Sequence, residues 1–302
     1  MDSIRNRVTS VNKQKKQVQK RQFDERKVPE GLFYQKDFLK HVEKQEIIEF
    51  LKGLYPIWEQ RYSKHMPPPP GKGQRMLLRP VYWLGNWQFA CLNYYHPPRR
   101  IKNCSVYAEG YPPILQKVVE KAEKKAREIY SPRDFPKGWE LNTCLINYYG
   151  KKLENAKWVD GARVGEHKDF EPGPVASLSL GERAMFQFVS SFGKNSPGRV
   201  VFQQWLEDGS LQIFGGRRWK EDLFHRVQRV DKKTGLELPL EISNFKVRRI
   251  NFTFRYVPKS DWVKFDQLPK ELKEDITPYV EELAKHSLFF AELLKKKNER
   301  SQ

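Results

Sequence analysis

Apolar positions recur with a helical period in three stretches of the chain and with a strand-like period between two of them. Over 112–130, Ile114, Leu115, Val118, Val119, Ala122, Ala126 and Ile129 fall on one face, while the remaining positions are mostly Lys and Glu. Pro112 and Pro113 open the stretch, so the pattern predicts a helix packed on a sheet by one stripe, with a solvated outer face. A broken stripe over 37–54 (Leu39, Val42, Ile47, Phe50, Leu51) predicts a first helix, with Asp37 as candidate N-cap and Gly53 as its stop. Over 268–297 the period is helical again, with Leu272, Ile276, Val280, Leu283, Leu288, Phe289 and Leu293, and Pro278 is expected to interrupt it. The prolines at 67–70, followed by Gly71-Lys72-Gly73, predict a loop.

From 141 the period changes. Short runs rich in aromatic and β-branched residues, bounded by Gly, Pro, Asn or Asp, cover 141–149, 175–180, 184–190, 199–205, 210–214, 225–230 and 248–257. Closely spaced short strands predict a sandwich or barrel. Helices precede the strands, so the expected class is α+β with an all-β core. The predicted organisation is a basic, disordered tail over 1–30, a core domain over 31–257 and a C-terminal helical extension over 258–302.

Composition narrows the class further. In 302 residues, 38% hydrophobic and 13% aromatic content excludes a wholly disordered chain. Three Cys exclude a disulfide framework and a Cys-only zinc site. No run approaches the ~18 apolar residues of a membrane span, and the polar N-terminus carries no signal-peptide pattern. The expectation is an intracellular, cytoplasmic protein with no membrane partner, nuclear if the source has a nucleus. The net charge of +19 favours a polyanionic partner, nucleic acid first. The tail, with Arg5, Arg7, Lys13, Lys15, Lys16, Lys20, Arg21, Arg26 and Lys27, reads as a phosphate-binding arm or as a solubilising segment.

Candidate chemistry begins with the histidines. His167-Lys168-Asp169 follows a glycine-containing loop, and in extended chain residues i and i+2 point to one side. His167 and Asp169 therefore offer a nitrogen and an oxygen to one ion, and His225 supplies a second imidazole. Two His and one carboxylate on one face of a metal form the facial triad suited to non-haem Fe(II) oxygen chemistry. Arg249-Ile250-Asn251-Phe252-Thr253-Phe254-Arg255 alternates strictly, with Arg249, Asn251, Thr253 and Arg255 on one face. That polar face meets either solvent or a buried anion such as a dicarboxylate, which guanidinium pairs bidentately. Asn147 and Tyr149 share a face of the strand before, both able to hydrogen-bond a carboxylate.

These residues, in this order, resemble the AlkB-like Fe(II)/2-oxoglutarate-dependent dioxygenases. Asn147-Tyr148-Tyr149, His167-Lys168-Asp169, Ser177 to Gly181, Phe186-Gln187-Phe188, Gly215-Gly216, His225 and the run from Arg249 to Arg255 carry the likeness, over roughly 140–257 and more loosely from about 31. The resemblance implies a double-stranded β-helix, or jelly roll, with N-terminal helices supporting one sheet. It implies Fe(II) held by His167, Asp169 and His225, and 2-oxoglutarate bound by Asn147, Tyr149, Arg249, Asn251 and Arg255, with Arg249 at the distal carboxylate. With O2, such a site releases succinate and CO2 and hydroxylates a substrate C–H bond. If that carbon is an N-methyl group, formaldehyde leaves. The implied function is oxidative demethylation of N-alkylated nucleobases in DNA or RNA by a monomer. Alternatives are an oxygenase acting on a protein or small molecule, or a non-catalytic nucleic-acid-binding jelly roll.

For the substrate, Tyr82, Trp83, Trp87, Phe89, Tyr94 and Tyr95, interleaved with Arg79, Arg99 and Arg100, fit a nucleotide-recognition lid built around Tyr82 and Trp87, or equally the core. Glu171 stands where repair members often carry an Asp that touches the base. Lys194 is the nearest basic residue after Phe186-Gln187-Phe188.

Overall fold

The structure is a computed structural model that describes residues 28–65, 67–88, 105–190, 198–230 and 236–299. The chain divides into two units, Met1–Glu30 and Gly31–Gln302. The second unit holds every described strand and helix.

Its first half holds β1 (Leu32–Gln35), α1 (His41–Lys52), β2 (Val81–Leu84), β3 (Asn86–Trp87), β4 (Ser105–Tyr107) and α2 (Pro113–Ile129). The strand-rich middle follows with β5 (Thr143–Glu154), β6 (Lys157–Asp160), β7 (Val164–His167), β8 (Val175–Gly181), β9 (Ala184–Val189), β10 (Val200–Leu206), β11 (Leu211–Phe214) and β12 (Phe224–Val230). Last come β13 (Glu241–Ile242), β14 (Phe245–Arg255), β15 (Trp262–Val263), α3 (Lys270–Ala284) and α4 (Leu288–Glu299). The seven runs predicted from the sequence become β5, β8, β9, β10, β11, β12 and β14.

A large antiparallel sheet runs in the order β1-β11-β8-β14-β5-β2, with β13 on β14 and β6 on β5. A small antiparallel sheet runs β10-β9-β12-β7. Two facing antiparallel sheets with helices on one of them make this an α+β jelly roll. The central strands of the large sheet, β8, β14 and the first part of β5, are buried on both faces. Ile250, Phe252 and Phe254 of β14 join Leu115, Val118, Val119 and Ala122 of α2 in the main core. The alternating Arg249, Asn251, Thr253 and Arg255 are also buried, so their polar face lies within the protein and not in solvent.

No strand of the small sheet contributes to that main core among the described residues. Its outer face carries a polar ladder. Arg226 donates to Glu166 at 2.5 Å and to Gln187 at 2.8 Å, and Gln187 donates to Gln203 at 2.7 Å. Side chains thus tie all four strands together across the hydrogen-bonded backbone.

Two helix boundaries differ from expectation. The N-cap of α1 is Lys40 and not Asp37. The Phe38 and Leu39 amides both donate to the Gly209 carbonyl at 3.1 Å, which holds the chain extended up to that point. Pro278 does not end a helix but lies inside α3. Burial of Ile276, Val280 and Leu283 on the core outweighs the one hydrogen bond the proline removes, and the break falls after Ala284. Ile276, Val280, Leu283 and Phe290 belong to the main core, so both C-terminal helices are anchored in it.

Candidate active site

A pocket opens between the two sheets. The large sheet contributes Asn147, Tyr149, Ser177, Arg249, Asn251, Thr253 and Arg255, and the small sheet contributes His167, Phe186, His225 and Val227. Register explains the convergence. His225 on β12 pairs directly with His167 at the end of β7, and their ring centroids lie 4.2 Å apart. Asp169 follows two residues later. Ligand atoms of His167, Asp169 and His225 all lie within 4.8 Å of one another.

Each of the three is held in the form a metal needs. His167 Nδ1 sits 2.8 Å from the Gly165 carbonyl, which fixes the proton on that nitrogen and leaves Nε2 its lone pair. Burial pushes the His167 pKa down; burial and then the adjacent His167 push that of His225 down to about 3. Both rings are therefore neutral at pH 7. Around His225, Phe186 stacks at 5.4 Å and Phe214 packs edge-on at 5.1 Å, so the ring is fixed by aromatic contact. Burial alone would raise the Asp169 carboxyl, but Arg255, with lesser help from His225 and His167, outweighs it and holds it well below the usual carboxylate range. Arg255 places Nε at 2.8 Å and Nη2 at 2.7 Å from Asp169 Oδ1. Asp169 Oδ2 accepts no hydrogen bond and lies 3.4 Å from His225 Nε2.

The large-sheet wall is cationic. Arg249 is fully buried and donates to Ser179 at 3.0 Å, but its Nε and Nη1 have no hydrogen-bond partner. A buried guanidinium with two unsatisfied donors is costly unless an anion completes it. The Tyr149 ring is flanked by Arg249 at 4.9 Å and Arg79 at 5.3 Å, and Arg79 donates to Asn147 at 2.6 Å. Two cations and a phenol converging at one end of the pocket suit one carboxylate of a dicarboxylate, and the nitrogen and oxygen donors at the other end suit Fe(II).

Arg79 is the residue that sequence pattern does not assign to this wall. Its only local signal, an Arg before Pro80 and an aromatic strand, does not distinguish a lid from a pocket wall. Asn251 lines the pocket, yet its amide donates to Ser177 and Leu178 and its oxygen accepts from Thr253. It buttresses the wall rather than offering a free group.

The substrate expectations fare differently. Tyr82 and Trp87 do not line the pocket. Both are buried, with the Tyr82 hydroxyl donating to Glu109 at 2.8 Å and the Trp87 indole donating to Glu59 at 3.0 Å. Alternating aromatics on β2 and β3 serve the core here. Glu171 is buried behind Arg255, 3.6 Å from its Nε, and not in the pocket, while the buried Lys220 ammonium donates to the Glu171 and Gly173 carbonyls. Burial raises the Glu171 carboxyl and lowers Lys220 to about 8. Lys194, Phe89, Tyr94, Tyr95, Arg99 and Arg100 lie outside the described residues.

Residues 31–255 match the model of the 2OG-Fe(II) oxygenase superfamily, and the chain belongs to that family. Fe(II), 2-oxoglutarate and O2 are the cofactor and cosubstrates of this class of dioxygenase, and His167, Asp169 and His225 form a possible iron-binding triad. Beyond the family model, the chain shows a distant sequence likeness to one curated relative. It is 26% identical over 163 residues to the Arabidopsis thaliana DNA N(6)-methyladenine demethylase ALKBH1C, a match covering 49% of this chain and 32% of that protein. The match thus spans about a third of the curated relative's length. The solved structure of OsALKBH1 is 21% identical, with a TM-score of 0.45, covering 76% of this chain and 100% of that one. A Pseudomonas putida prolyl-4-hydroxylase structure is 12% identical, with a TM-score of 0.35, covering 76% of this chain and 94% of that one. No helix among the described residues is long and apolar enough to cross a membrane.

Proposed function

We propose that this protein is an oxidative demethylase of N-alkylated nucleobases in DNA or RNA. The observation that carries the dioxygenase chemistry is the pairing of an uncommitted Asp169 oxygen beside two neutral imidazoles with the unsatisfied guanidinium of Arg249. The net charge of +19 and the likeness to a protein described as a DNA N(6)-methyladenine demethylase support the nucleic-acid substrate.

His167, Asp169 and His225 would hold the iron, and Arg249, Tyr149 and Asn147 the distal carboxylate of 2-oxoglutarate. When bound, iron and 2-oxoglutarate supply the oxidising chemistry: 2-oxoglutarate and O2 become succinate and CO2, and one oxygen atom enters a substrate C–H bond. Arg255 keeps Asp169 ionised and aimed by occupying Oδ1 alone. The Gly165 carbonyl keeps the Nδ1 proton of His167 and so its Nε2 lone pair available. Phe186, Phe214 and Val227 exclude water from the metal side of the pocket. An N-methyl group hydroxylated there becomes an N-hydroxymethyl group, which breaks its C–N bond to release formaldehyde and return the proton to nitrogen.

The test is coupled release of succinate and formaldehyde from Fe(II)-loaded protein given 2-oxoglutarate and oligonucleotides bearing N6-methyladenine, 1-methyladenine or 3-methylcytosine, with His167→Ala as control. Formaldehyde in step with succinate, absent from the control, is the expected result. Succinate without formaldehyde from any oligonucleotide would remove nucleic acid as substrate and direct the search to proteins and small molecules.

A further inference from the structure

The hairpin formed by β5 and β6 is not used by the chemistry above. Strand β5 is 12 residues long, and it lies in the pocket wall only as far as Tyr149. Its second half stays paired with β14 as far as Lys152 and returns as β6, pairing Lys151 with Asp160, Lys152 with Val159, Leu153 with Trp158 and Glu154 with Lys157. The turn is a two-residue connection with Asn155 at φ 48° and Ala156 at φ 59°, the left-handed pair that a tight hairpin requires. The base is fixed too. Asp160 caps the Ala162 amide at 3.0 Å and lies 3.4 Å from Arg248, a fully buried guanidinium that also binds Glu182. With β14 pairing along the other side of β5 as far as Lys152, β6 is an anchored edge strand of the large sheet.

Its exposed surface is unusual. Trp158 and Val159 are 44% and 46% exposed, and Trp158 is the one exposed tryptophan among the described residues. Strand alternation puts Asn147, Tyr149, Lys151 and Leu153 on one face, and the register puts Trp158 beside Leu153 on that same face. Leu153 follows Tyr149 by four positions, so the tryptophan beside it stands about 13 Å from the pocket wall, some four stacked nucleotides at ~3.4 Å each. The charges around it are positive in balance. The hairpin's own acids are engaged, Glu154 with Lys152 at 3.3 Å and Asp160 with Arg248. Lys246, across from Lys151, pairs with Glu237 at 3.5 Å and holds its ammonium 5.2 Å from the Trp158 ring. Lys151, Lys157 and Arg163 have no ion-pair partner among the described residues.

An exposed indole on a rigid strand, flanked by uncommitted cations and continuous with the face that lines the pocket, has the chemistry of a single-strand platform: bases stack on the ring and phosphates meet the ammonium groups. We propose that the β5–β6 hairpin binds the single-stranded nucleic acid flanking the target base, with Trp158 as the stacking residue and Lys151 and Lys157 as phosphate contacts. This rests on the function proposed above.

The test titrates the full chain into a fluorescein-labelled single-stranded DNA oligonucleotide with no alkylated base, followed by anisotropy at several salt concentrations. Trp158→Ala is expected to weaken binding about tenfold. The double change Lys151→Ala with Lys157→Ala, at a half-buried and an exposed position, is expected to lower the slope of log affinity against log salt by about 1.4, near 0.7 per lost contact on a single strand. Thermal melts check that both variants fold, and the lysine pair, which removes no buried group, keeps the test open if the tryptophan variant does not. If wild-type protein binds and demethylates oligonucleotides and both variants bind as it does, the hairpin proposal falls and the demethylase reading stands. If wild-type protein neither binds nor demethylates any oligonucleotide, both fall. Loss of a dimer on sedimentation of Trp158→Ala, with strand binding intact, would give the surface to a second copy of the chain and overturn the proposal.

Discussion

The two walls of the pocket are built on different physics. The large-sheet wall holds its functional groups by burial. Arg249, Asn251 and Arg255 alternate with Ile250, Phe252 and Phe254, and those apolar neighbours share a core with α2. The small-sheet wall carries two of the three candidate metal ligands, yet shares no residue with that core among the described residues. Strand β7, which ends in His167, has four residues and a register shift against β12. The ion pair between Glu166 and Arg226 at 2.5 Å and the glutamine ladder behind it brace that edge. The main core thus sets the large-sheet wall, whereas the small-sheet wall combines its own aromatic packing around His225 with directional polar bonds on its outer face. Stability and metal affinity are therefore expected to respond to different substitutions.

Four changes bear on that contrast. The largest effect belongs to His225→Ala, which is expected to abolish Co(II) or Fe(II) binding by isothermal titration and reduce activity to background while the fold persists. Next, Phe252→Ala removes a fully buried ring from the core beneath Arg249 and is expected to cost about 3–5 kcal/mol in denaturant unfolding. Arg249→Gln removes the charged partner for the distal carboxylate. It is expected to raise the KM for 2-oxoglutarate by roughly 10- to 150-fold, the equivalent of a charge-assisted hydrogen bond at about 1.5–3 kcal/mol, with metal affinity in the absence of cosubstrate little changed. The smallest and sharpest is Arg226→Gln. It is expected to cost only about 1 kcal/mol of stability, while weakening metal binding about tenfold through the loosened β7 edge. If Arg226→Gln lowered stability as much as Phe252→Ala and left metal affinity untouched, the distinction between the walls would collapse.

What could be read in advance follows the same division. Period-two alternation from Arg249 to Arg255 carries its own geometry, because adjacent side chains must face opposite ways. His167 and Asp169, two apart on extended chain, are legible for that reason, and the stripe from Ile114 to Ala126 is legible by its helical period. The pattern leaves open whether the polar face of β14 meets water; in the fold it lines the buried pocket between the two sheets. Arg79 is not legible as a wall residue because its place depends on β2 pairing with β5, with Val81 opposite Asn147, a contact between residues 66 positions apart. Tyr82 and Trp87 show the converse. An aromatic on a strand has the same sequence signature whether it faces a ligand or, as here, hydrogen-bonds Glu109 and Glu59 in the interior. Polar β7 and the short β6 lack an apolar pattern, so no periodicity marks them.

The tyrosine held between two guanidinium groups has a thermodynamic consequence. Arg79 and Arg249 repel across the Tyr149 ring, and burial above all, with a lesser push from Arg79, lowers the Arg249 pKa. An anion that relieves this binds the folded chain and has no such site in the unfolded one. By mass action, 2-oxoglutarate bound as proposed, at a hundred times its dissociation constant, would add about 2.7 kcal/mol to the folding free energy. Thermal unfolding would then shift upward with the concentration of 2-oxoglutarate, independently of how often the enzyme turns over.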